Sequence, residues 1–387
     1  MGWRHQPPVY SPLSWPAVLA AFGRHDPREE IVARFRVSHR ASHVLLTDSG
    51  TSALMLALAA AARLRPGLPV LLPGYGCYDL ATAALGARVR VRLYDIDAET
   101  LQPDVDSVGE ALRGGAAALV VVHHFGVPVD MDTMSKIAAG ARTTLIEDAA
   151  QGTGGSWRGV RLGAHGDASI LSFGRGKGVT AGGGGALLVR EAALESALGP
   201  PLPAAWERRL RTATLLGAQL ALGNPALYAI PSALPFLQLG ETFYREPHAA
   251  TGLSAAAARV LEHSMEREEA EGEARRGNAE ALLTVLDASD FQRIAVPSAA
   301  GVPGWLRLPA LHGARGMLVD DRARQLGVEA GYPLDLRRLA PLAPSIEGIA
   351  STPGADRLAS DLLTLPTHSQ LRAHDRQALV RWIVGRR

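Results

Sequence analysis

Apolar runs alternate with helical stretches through the first half of the chain. The Ala/Leu-rich segment 53–61 has the composition of a helix, and a further helix is predicted at 131–139. The run 116–122 is apolar at every position, which is typical of a strand buried on both faces. Seven runs predict strands: 44–46, 69–73, 89–95, 116–122, 143–146, 168–171 and 186–189. Strands that alternate with helices predict a mostly parallel sheet covered by helices on both faces.

The second half lacks long apolar runs and predicts a smaller C-terminal α/β domain. We expect a long Ala-rich helix from Leu253 to about Leu286, whose charge run 266–276 forms a solvated face. A short strand is predicted at 304–308, with helices near 322–326 and after Ser369. The expected organisation is an N-terminal arm plus a large domain over residues 1–245, followed by a small domain over 246–387.

Composition narrows the protein class. The 387 residues are 47% hydrophobic and 20% charged, with a net charge of +2 and no dense basic run, so we expect no nucleic-acid partner. Cys77 is the only cysteine, which excludes an intrachain disulfide and a cysteine zinc site, and we expect no metal. Residues 1–8 lack the apolar core of a signal peptide. The cytoplasm is the expected location.

One uncharged stretch, Thr212–Gly240, raises the question of a membrane contact. Three prolines interrupt it, whereas a spanning helix needs about 20 mostly apolar residues. A buried or interface helix followed by a Pro-rich connection is therefore favoured over a membrane contact.

Lys177 lies among glycines between two strand-like runs, 168–171 and 186–189. Glycines leave room for a bulky group beside the amine, and a lysine that loses its proton can attack a carbonyl to form a Schiff base. The alternative is a solvated lysine on a hairpin loop. A phosphate-binding loop fits less well, because Gly178 stands where that motif requires Ser or Thr.

Polar residues follow several predicted strands, at the sheet edge where ligands bind in such folds. Residues 49–52 begin a helix, either as an anion site or as an ordinary N-cap. Asp148, Gln151, Ser172 and Lys177 follow later strands. This set matches the needs of pyridoxal 5'-phosphate: a lysine for the aldehyde, a carboxylate for the ring nitrogen, and a helix start with Ser172 for the phosphate.

Five ordered motifs carry a resemblance to a known family: SGTSAL at 49–54, YDID at 94–97, GVPVDMD at 126–132, EDAAQG at 147–152 and SFGRGK at 172–177. With them the chain resembles the DegT-type nucleotide-sugar aminotransferases, which have the aspartate-aminotransferase fold (fold type I of the enzymes that use pyridoxal phosphate). The resemblance implies a Schiff base on Lys177, Asp148 against the ring nitrogen and Gln151 near the ring hydroxyl. It also implies that the cofactor contacts Gly50, Thr51, Ser52 and Ser172.

The chain departs from the family pattern at two places. Cys77 holds the position of an aromatic residue that stacks on the ring, and Tyr75 or Tyr78 could cover the ring instead. The family's asparagine, which reaches the partner subunit's phosphate, is absent from residues 244–252. His123 and His124 are interpreted as structural neighbours of the cofactor, and His368 is left open.

The expected function is transfer of an amino group from an amino acid, with glutamate favoured, to a keto group on a nucleotide-linked sugar. Lys177 is the expected catalytic residue. Two alternatives stay open: another reaction on the same Schiff base (elimination, decarboxylation or condensation), or a cofactor-binding regulatory or assembly protein with little turnover. The resemblance also implies a homodimer, with the N-terminal arm and the apolar region 215–239 as candidate interface pieces.

Overall fold

The computed structural model of the chain describes residues 5–205, 209–232, 243–297, 299–348 and 351–385. Its strands are β1 His43–Thr47, β2 Val70–Pro73, β3 Val91–Tyr94, β4 Ala118–Val122, β5 Thr144–Asp148, β6 Ser156–Trp157, β7 Val160–Arg161, β8 Ala168–Ser172, β9 Gly185–Val189, β10 Gln292–Arg293, β11 Gly301–Val302, β12 Leu308–Leu311, β13 Glu329–Ala330 and β14 Leu362–Leu365. Its helices are α1 Trp15–Ala20, α2 Arg28–Ser38, α3 Gly50–Leu64, α4 Asp79–Ala87, α5 Val105–Ala111, α6 Met131–Gly140, α7 Ala192–Ser196, α8 Arg209–Leu222, α9 Pro225–Ser232, α10 Ala255–Met265, α11 Glu268–Leu286, α12 Arg315–Leu318, α13 Asp321–Gln325, α14 Pro353–Asp361 and α15 Ala373–Val384.

A seven-stranded sheet in the order β1-β9-β8-β5-β4-β2-β3 forms the centre of the molecule. The pairs among β3, β2, β4, β5 and β8 are parallel, while β9 runs antiparallel to both β8 and β1. Every residue of β2, β4, β5 and β9 is buried, as expected for strands covered by helices on both faces. The predicted large, mostly parallel sheet is confirmed.

A second sheet lies in the C-terminal part of the chain, in the order β10-β12-β14-β13, and all its pairs are antiparallel. The helices α11, α12, α14 and α15 accompany it, and α11 packs against α15. The smaller C-terminal α/β unit is therefore present. The boundary between residues 245 and 246 stays a prediction.

Two sequence-based elements differ from the structure. The long helix predicted from Leu253 is two helices, because Arg267 leaves helical geometry with φ −101° and ψ 0° between α10 and α11. The strand predicted at 304–308 begins only at Leu308, because Trp305 adopts a left-handed φ of 43° that ends extended pairing.

The uncharged stretch contains α8 and α9 in its described part, and residues 233–240 lie outside the described residues. None of the helices that the structure describes is both long enough and apolar enough to cross a membrane. In α8, Leu216 is fully buried and packs with Leu13 and Val18.

The N-terminal arm packs over the chain's own surface in its described part, residues 5–14. Ser11 Oγ accepts a hydrogen bond from Gly176 N at 3.0 Å, directly beside Lys177. Pro7 O lies 2.8 Å from His368 Nε2, and Tyr10 O accepts a hydrogen bond from Arg275. The arm thus joins the loop that carries Lys177 to the C-terminal part of the molecule.

Candidate functional site

The first turn of α3 forms one wall of the site. Ser49 is the N-cap of α3, and its Oγ accepts a hydrogen bond from Ser52 N at 3.0 Å. The first amide groups of a helix have no partner within the helix and carry the positive end of its dipole, which favours an anion. Gly50 lies so close to Ser172 that a Cβ at position 50 would be 2.8 Å from the Ser172 Cβ. The end of β8 and the start of α3 therefore face the same small space.

The end of β5 supplies the carboxylate. Asp148 is 9% exposed, and its Oδ1 accepts a hydrogen bond from Ala150 N at 2.9 Å. Burial raises the pKa of Asp148, and the Ala150 hydrogen bond and the charge on Lys177 offset only part of that effect. The carboxylate is thus buried and forms no ion pair with any residue that the structure describes, as expected for a group that meets a cationic ring nitrogen.

Gln151 is held from both sides. Its Oε1 accepts a hydrogen bond from Phe125 N at 2.7 Å, and its Nε2 donates to Tyr332 OH at 2.6 Å. The Tyr332 ring stacks on Phe125 with centroids 5.8 Å apart. The amide is therefore fixed in orientation by one residue of the large sheet edge and one from the C-terminal part.

These elements line one common cavity. Seven of the eight predicted site residues line it: Gly50, Thr51, Cys77, Asp148, Gln151, Ser172 and Lys177. The eighth, Ser52, is buried outside the cavity lining and bonds to Ser49. Apolar walls with a few polar groups are typical of a small-molecule site. The residue types and the anion-favouring helix start thus fit pyridoxal phosphate.

Of the three candidates for covering the ring, the structure brings only Cys77 to the cavity. Tyr75 is fully buried and is not among the residues that line the cavity. Its hydroxyl accepts a hydrogen bond from Tyr332 N at 2.9 Å. Tyr78 belongs to the apolar core between α3 and the sheet. Burial and the charge of Asp79 raise the pKa of the Cys77 thiol to about 12, so the thiol is protonated at neutral pH.

Two functional neighbours were missed by the sequence analysis. Asp79 opens α4, lines the cavity and lies 3.5 Å from Cys77 Sγ. Its position two residues after Cys77 was a usable signal, although no motif contains it. Tyr332 is 181 positions from Gln151 in sequence, and nothing local marks it.

The histidines serve the structure around the site. His123 Nδ1 accepts a hydrogen bond from Val129 N, so its Nε2 carries the proton and donates to Glu147 Oε1 at 3.0 Å. His124 is buried, and burial lowers its pKa to about 3. His368 bonds to the arm through Pro7 O, and burial lowers its pKa to about 4. His123 and His124 agree with the structural interpretation, and for His368, which the sequence left open, the contact with the arm favours a structural role.

The chain was compared with known proteins. Residues 26–199 match the DegT/DnrJ/EryC1/StrS aminotransferase family. The chain is 32% identical over 212 residues to an L-glutamine:2-deoxy-scyllo-inosose aminotransferase of Streptomyces fradiae, covering 51% of this chain and 50% of that protein. It is 37% identical over 156 residues to a 3-amino-5-hydroxybenzoate synthase of Amycolatopsis mediterranei, covering 40% and 39%. The chain spans about half the length of the curated relatives it matches.

The fold agrees over a greater length. A solved DegT DnrJ EryC1 StrS aminotransferase from Brucella abortus superposes with a TM-score of 0.72 at 22% identity, covering 95% of this chain and 93% of that one. This likeness confirms the expected aspartate-aminotransferase-like fold. The chain is therefore similar to DegT/DnrJ/EryC1/StrS aminotransferases in sequence over residues 26–199, and the likeness in fold extends over nearly all of its length.

Proposed function

We propose that this protein is a pyridoxal-phosphate-dependent aminotransferase that moves an amino group from glutamine or glutamate to a keto group on a polyhydroxylated ring. The observation that carries the proposal is the convergence of Lys177 and Asp148 on one cavity with the start of α3. A lone lysine or a lone helix start would carry little weight. Together with a buried carboxylate, they match the aldehyde, the phosphate and the ring nitrogen of a single cofactor.

Each residue has a proposed task. Lys177 Nζ would hold the aldehyde carbon, and Asp148 would meet the protonated ring nitrogen. Gly50 and Thr51, with Ser172, would hold the phosphate. Cys77 would lie over one face of the ring, and Gln151 would lie near its hydroxyl. The bound cofactor would supply an electron sink for the Cα of the amino donor.

Proton transfer falls to Lys177 once its amine is free. Its Nζ would take the proton from the donor's Cα, because it is the basic group among the residues that line the cavity. Asp148 acts on the site without moving a proton. A buried carboxylate with a raised pKa is stabilised most by a cation beside it, and a protonated ring nitrogen is that cation.

The choice of substrates is supported by the relatives. One relative's printed name gives L-glutamine as donor and an inosose as acceptor. A keto-cyclitol of this kind and a nucleotide-linked keto-sugar both present a ketone among hydroxyl groups. Either can be the acceptor under this proposal. Transfer to a nucleotide-linked sugar is the more specific version of the proposal. A cytoplasmic location accompanies the proposal.

The chain contains only two lysines, Lys136 and Lys177, which makes a direct test available. The protein is loaded with pyridoxal phosphate, reduced with borohydride and mapped by mass spectrometry. We expect the cofactor mass on Lys177 and not on Lys136, which is exposed on α6. Lys177→Ala should abolish the visible absorbance band, while Lys136→Ala should keep it.

The reaction type is tested with the loaded protein. L-glutamine or L-glutamate should bleach the visible band and release the matching 2-oxo acid, and a ketone acceptor should restore the band. Release of ammonia or carbon dioxide without a restorable band would favour other chemistry on the same lysine. A stable band with every donor would favour a regulatory role. A colourless protein after incubation with the cofactor would overturn the proposal.

A further inference from the structure

The loop that carries Lys177, residues 173–184, connects β8 to β9, and six of its twelve residues are glycine. Glycine loses more conformational freedom on folding than any other residue, so a loop of this composition has little stiffness of its own. Inside the loop, Lys177 N donates to Gly174 O at 3.3 Å and closes one turn. An amine that has to reach one atom of a ligand needs a closely fixed position, so contacts from outside the loop have to supply the stiffness.

The N-terminal arm supplies such a contact directly before Lys177. Gly176 N donates to Ser11 Oγ at 3.0 Å, and Ser11 is 5% exposed. Gly176 has a left-handed φ of 78°, and a Cβ there would lie 2.6 Å from Val9 Cγ2. The arm therefore holds the backbone before the lysine by one buried hydrogen bond and one tight packing contact.

A different segment holds the residue after Lys177. A Cβ at Gly178 would overlap the Cβ of Thr153, so the loop passes directly over Thr153, in the turn that follows β5. Farther along the loop, Thr180 N donates to Ser264 Oγ of α10 at 2.8 Å. Lys177 thus lies between two supports, with the arm on one side and the turn after β5 on the other.

The arm can support the loop because it is itself bound to the C-terminal part of the molecule. Gln6 N donates to Gln325 O of α13 at 2.9 Å, and Arg275 of α11 donates to Tyr10 O at 3.0 Å. Ser11 follows Tyr10 directly in the chain. These contacts on two helices restrict the arm, so Ser11 cannot simply follow the loop when the loop moves.

We propose that Ser11 positions Lys177 for its covalent bond with pyridoxal phosphate, by fixing the backbone directly before the lysine. In that reaction the amine forms a C=N bond with the aldehyde carbon, and the aldehyde oxygen leaves as water. The inference rests on the proposed function and adds a residue to its machinery. Ser11 is not among the residues that line the cavity, so it acts through the loop. Its removal should therefore change the rate at which the amine reacts more than it changes ligand affinity.

The first experiment measures amide hydrogen exchange by mass spectrometry, with and without pyridoxal phosphate, at fragments resolved to Gly176. Ser11→Ala removes the acceptor of the Gly176 amide and should speed its exchange about tenfold. Ser11→Thr keeps the oxygen and should restore slow exchange. Ser14→Ala is the matched control, because Ser14 belongs to the same arm but its Oγ accepts from Ala17 N, at the start of α1.

The second experiment follows the visible band after pyridoxal phosphate is added to the unloaded protein. Ser11→Ala should lower the limiting rate of band formation about tenfold, because a small displacement of a reacting group lowers its rate steeply. The concentration that gives half of this rate should change little. Ser11→Thr should restore the rate, and Ser14→Ala should match the wild type. Melting curves check folding, and if Ser11→Ala does not fold, Val9→Ala decides, since it removes the packing contact at Gly176.

The outcomes separate this inference from the proposed function. A wild type that forms the band but reacts with no amino donor would contradict the aminotransferase proposal, and slow band formation confined to Ser11→Ala would still support the inference. Faster exchange at Gly176 with an unchanged rate of band formation would overturn the inference, because Ser11 would then only stabilise the loop. Equal effects of Ser11→Ala and Ser14→Ala would overturn it as well, since the arm would then act through general stability.

Discussion

Two adjacent carboxylates at the end of β5 show how single residues set up the site. Burial alone would raise the pKa of Glu147, but the hydrogen bond with His123 and those from backbone amides outweigh it, and the pKa lies well below its usual range. Glu147 also accepts hydrogen bonds from Gly163 N at 2.6 Å and from Ser169 Oγ at 2.9 Å. Asp148 has fewer donors, and burial raises its pKa. Glu147 thus anchors the strand end, while Asp148 is left available for a ligand.

Glu147→Gln should destabilise the fold by about 3 kcal/mol at pH 7, because an amide group would then face donors that need an acceptor. The native pKa of Glu147 lies below the unfolded value of 4.5, so its contribution is full above that pH and is lost as pH falls. Urea unfolding at a series of pH values checks both points. The variant should lose part of the rise of stability with pH below about pH 4.5.

Glu99→Gln is the matched control for this change. Glu99 is an exposed carboxylate that bonds to Arg357. Its replacement should leave the urea midpoint unchanged within error. Equal effects of the two substitutions would show that the buried network around Glu147 does not anchor the strand.

At the residue scale, the sequence predicted those site residues that directly follow strands. Asp148, Ser172 and Lys177 could be found because a parallel sheet gathers its strand ends at one edge. Tyr332 could not, because tertiary packing alone brings it to Gln151, 181 positions away. The sequence likewise left Cys77 and its tyrosine neighbours open, and only the path of the chain after β2 separates them.

At the element scale, the site depends on a close approach of α3 to the sheet. Gly185 opens β9, and a Cβ there would lie 2.5 Å from Gly50 N. Gly50 in turn leaves space for Ser172 at the end of β8. Glycine is needed at both positions because backbone meets backbone or a short side chain, with no flexible group that could give way. The helix start can then line the cavity.

Gly50→Ala should therefore displace the start of α3 from Ser172. Overpacking of this kind costs about 1–3 kcal/mol, and we expect a lower melting temperature together with a weaker affinity for pyridoxal phosphate, measured by absorbance titration. Gly277→Ala is the matched control, because Gly277 lies inside α11 with no atom within 4 Å of its would-be Cβ. Alanine there should add about 0.5–1 kcal/mol of stability and leave cofactor affinity unchanged. Normal cofactor affinity in Gly50→Ala would refute the close-approach argument.

Element boundaries were predictable where local chemistry sets them and not elsewhere. Ser49 and Asp130 are N-cap residues, and the helices after them begin where the sequence indicates. The break at Arg267 has no proline or glycine to mark it. There α10 packs against α1 and α2, while α11 packs against α15, so tertiary contacts divide a segment whose residues favour one helix.

At the scale of the whole molecule, the N-terminal arm changes the environment of distant residues. The charge run 266–276 was expected on a solvated face, and this expectation was wrong for Glu271 and Arg275, which are 4% and 1% exposed. They form an ion pair with N···O at 3.4 Å, and Arg275 also donates to Tyr10 O of the arm. Helical periodicity cannot reveal a segment that returns from more than 250 positions away. The fold class was predictable because alternating strand and helix patterns determine a sheet. That the N-terminal arm covers part of α11 was not predictable from such patterns.

Large apolar side chains are exposed on two adjoining helices of the described part of the chain, which supports the predicted homodimer. Trp15 and Leu19 on α1 are 62% and 65% exposed, and Leu215 on the adjoining α8 is 56% exposed. Groups of large exposed apolar side chains mark interaction surfaces. Of the predicted interface region 215–239, residues 233–239 lie outside the described residues. The described part of the arm is already packed on its own chain, so α1 and α8 are the better candidates.

We expect the wild type to sediment as a dimer at micromolar concentration. Leu215→Glu should shift it to a monomer, because an unpaired carboxylate in a desolvated interface costs several kcal/mol. Met317→Glu is the control: Met317 is 77% exposed on α12, away from α1 and α8, and its replacement should leave the dimer intact. A circular dichroism spectrum like that of the wild type would show that Leu215→Glu is folded. A wild type that sediments only as a monomer would contradict the predicted dimer. A dimer that is unaffected by Leu215→Glu would show that the interface lies on another surface.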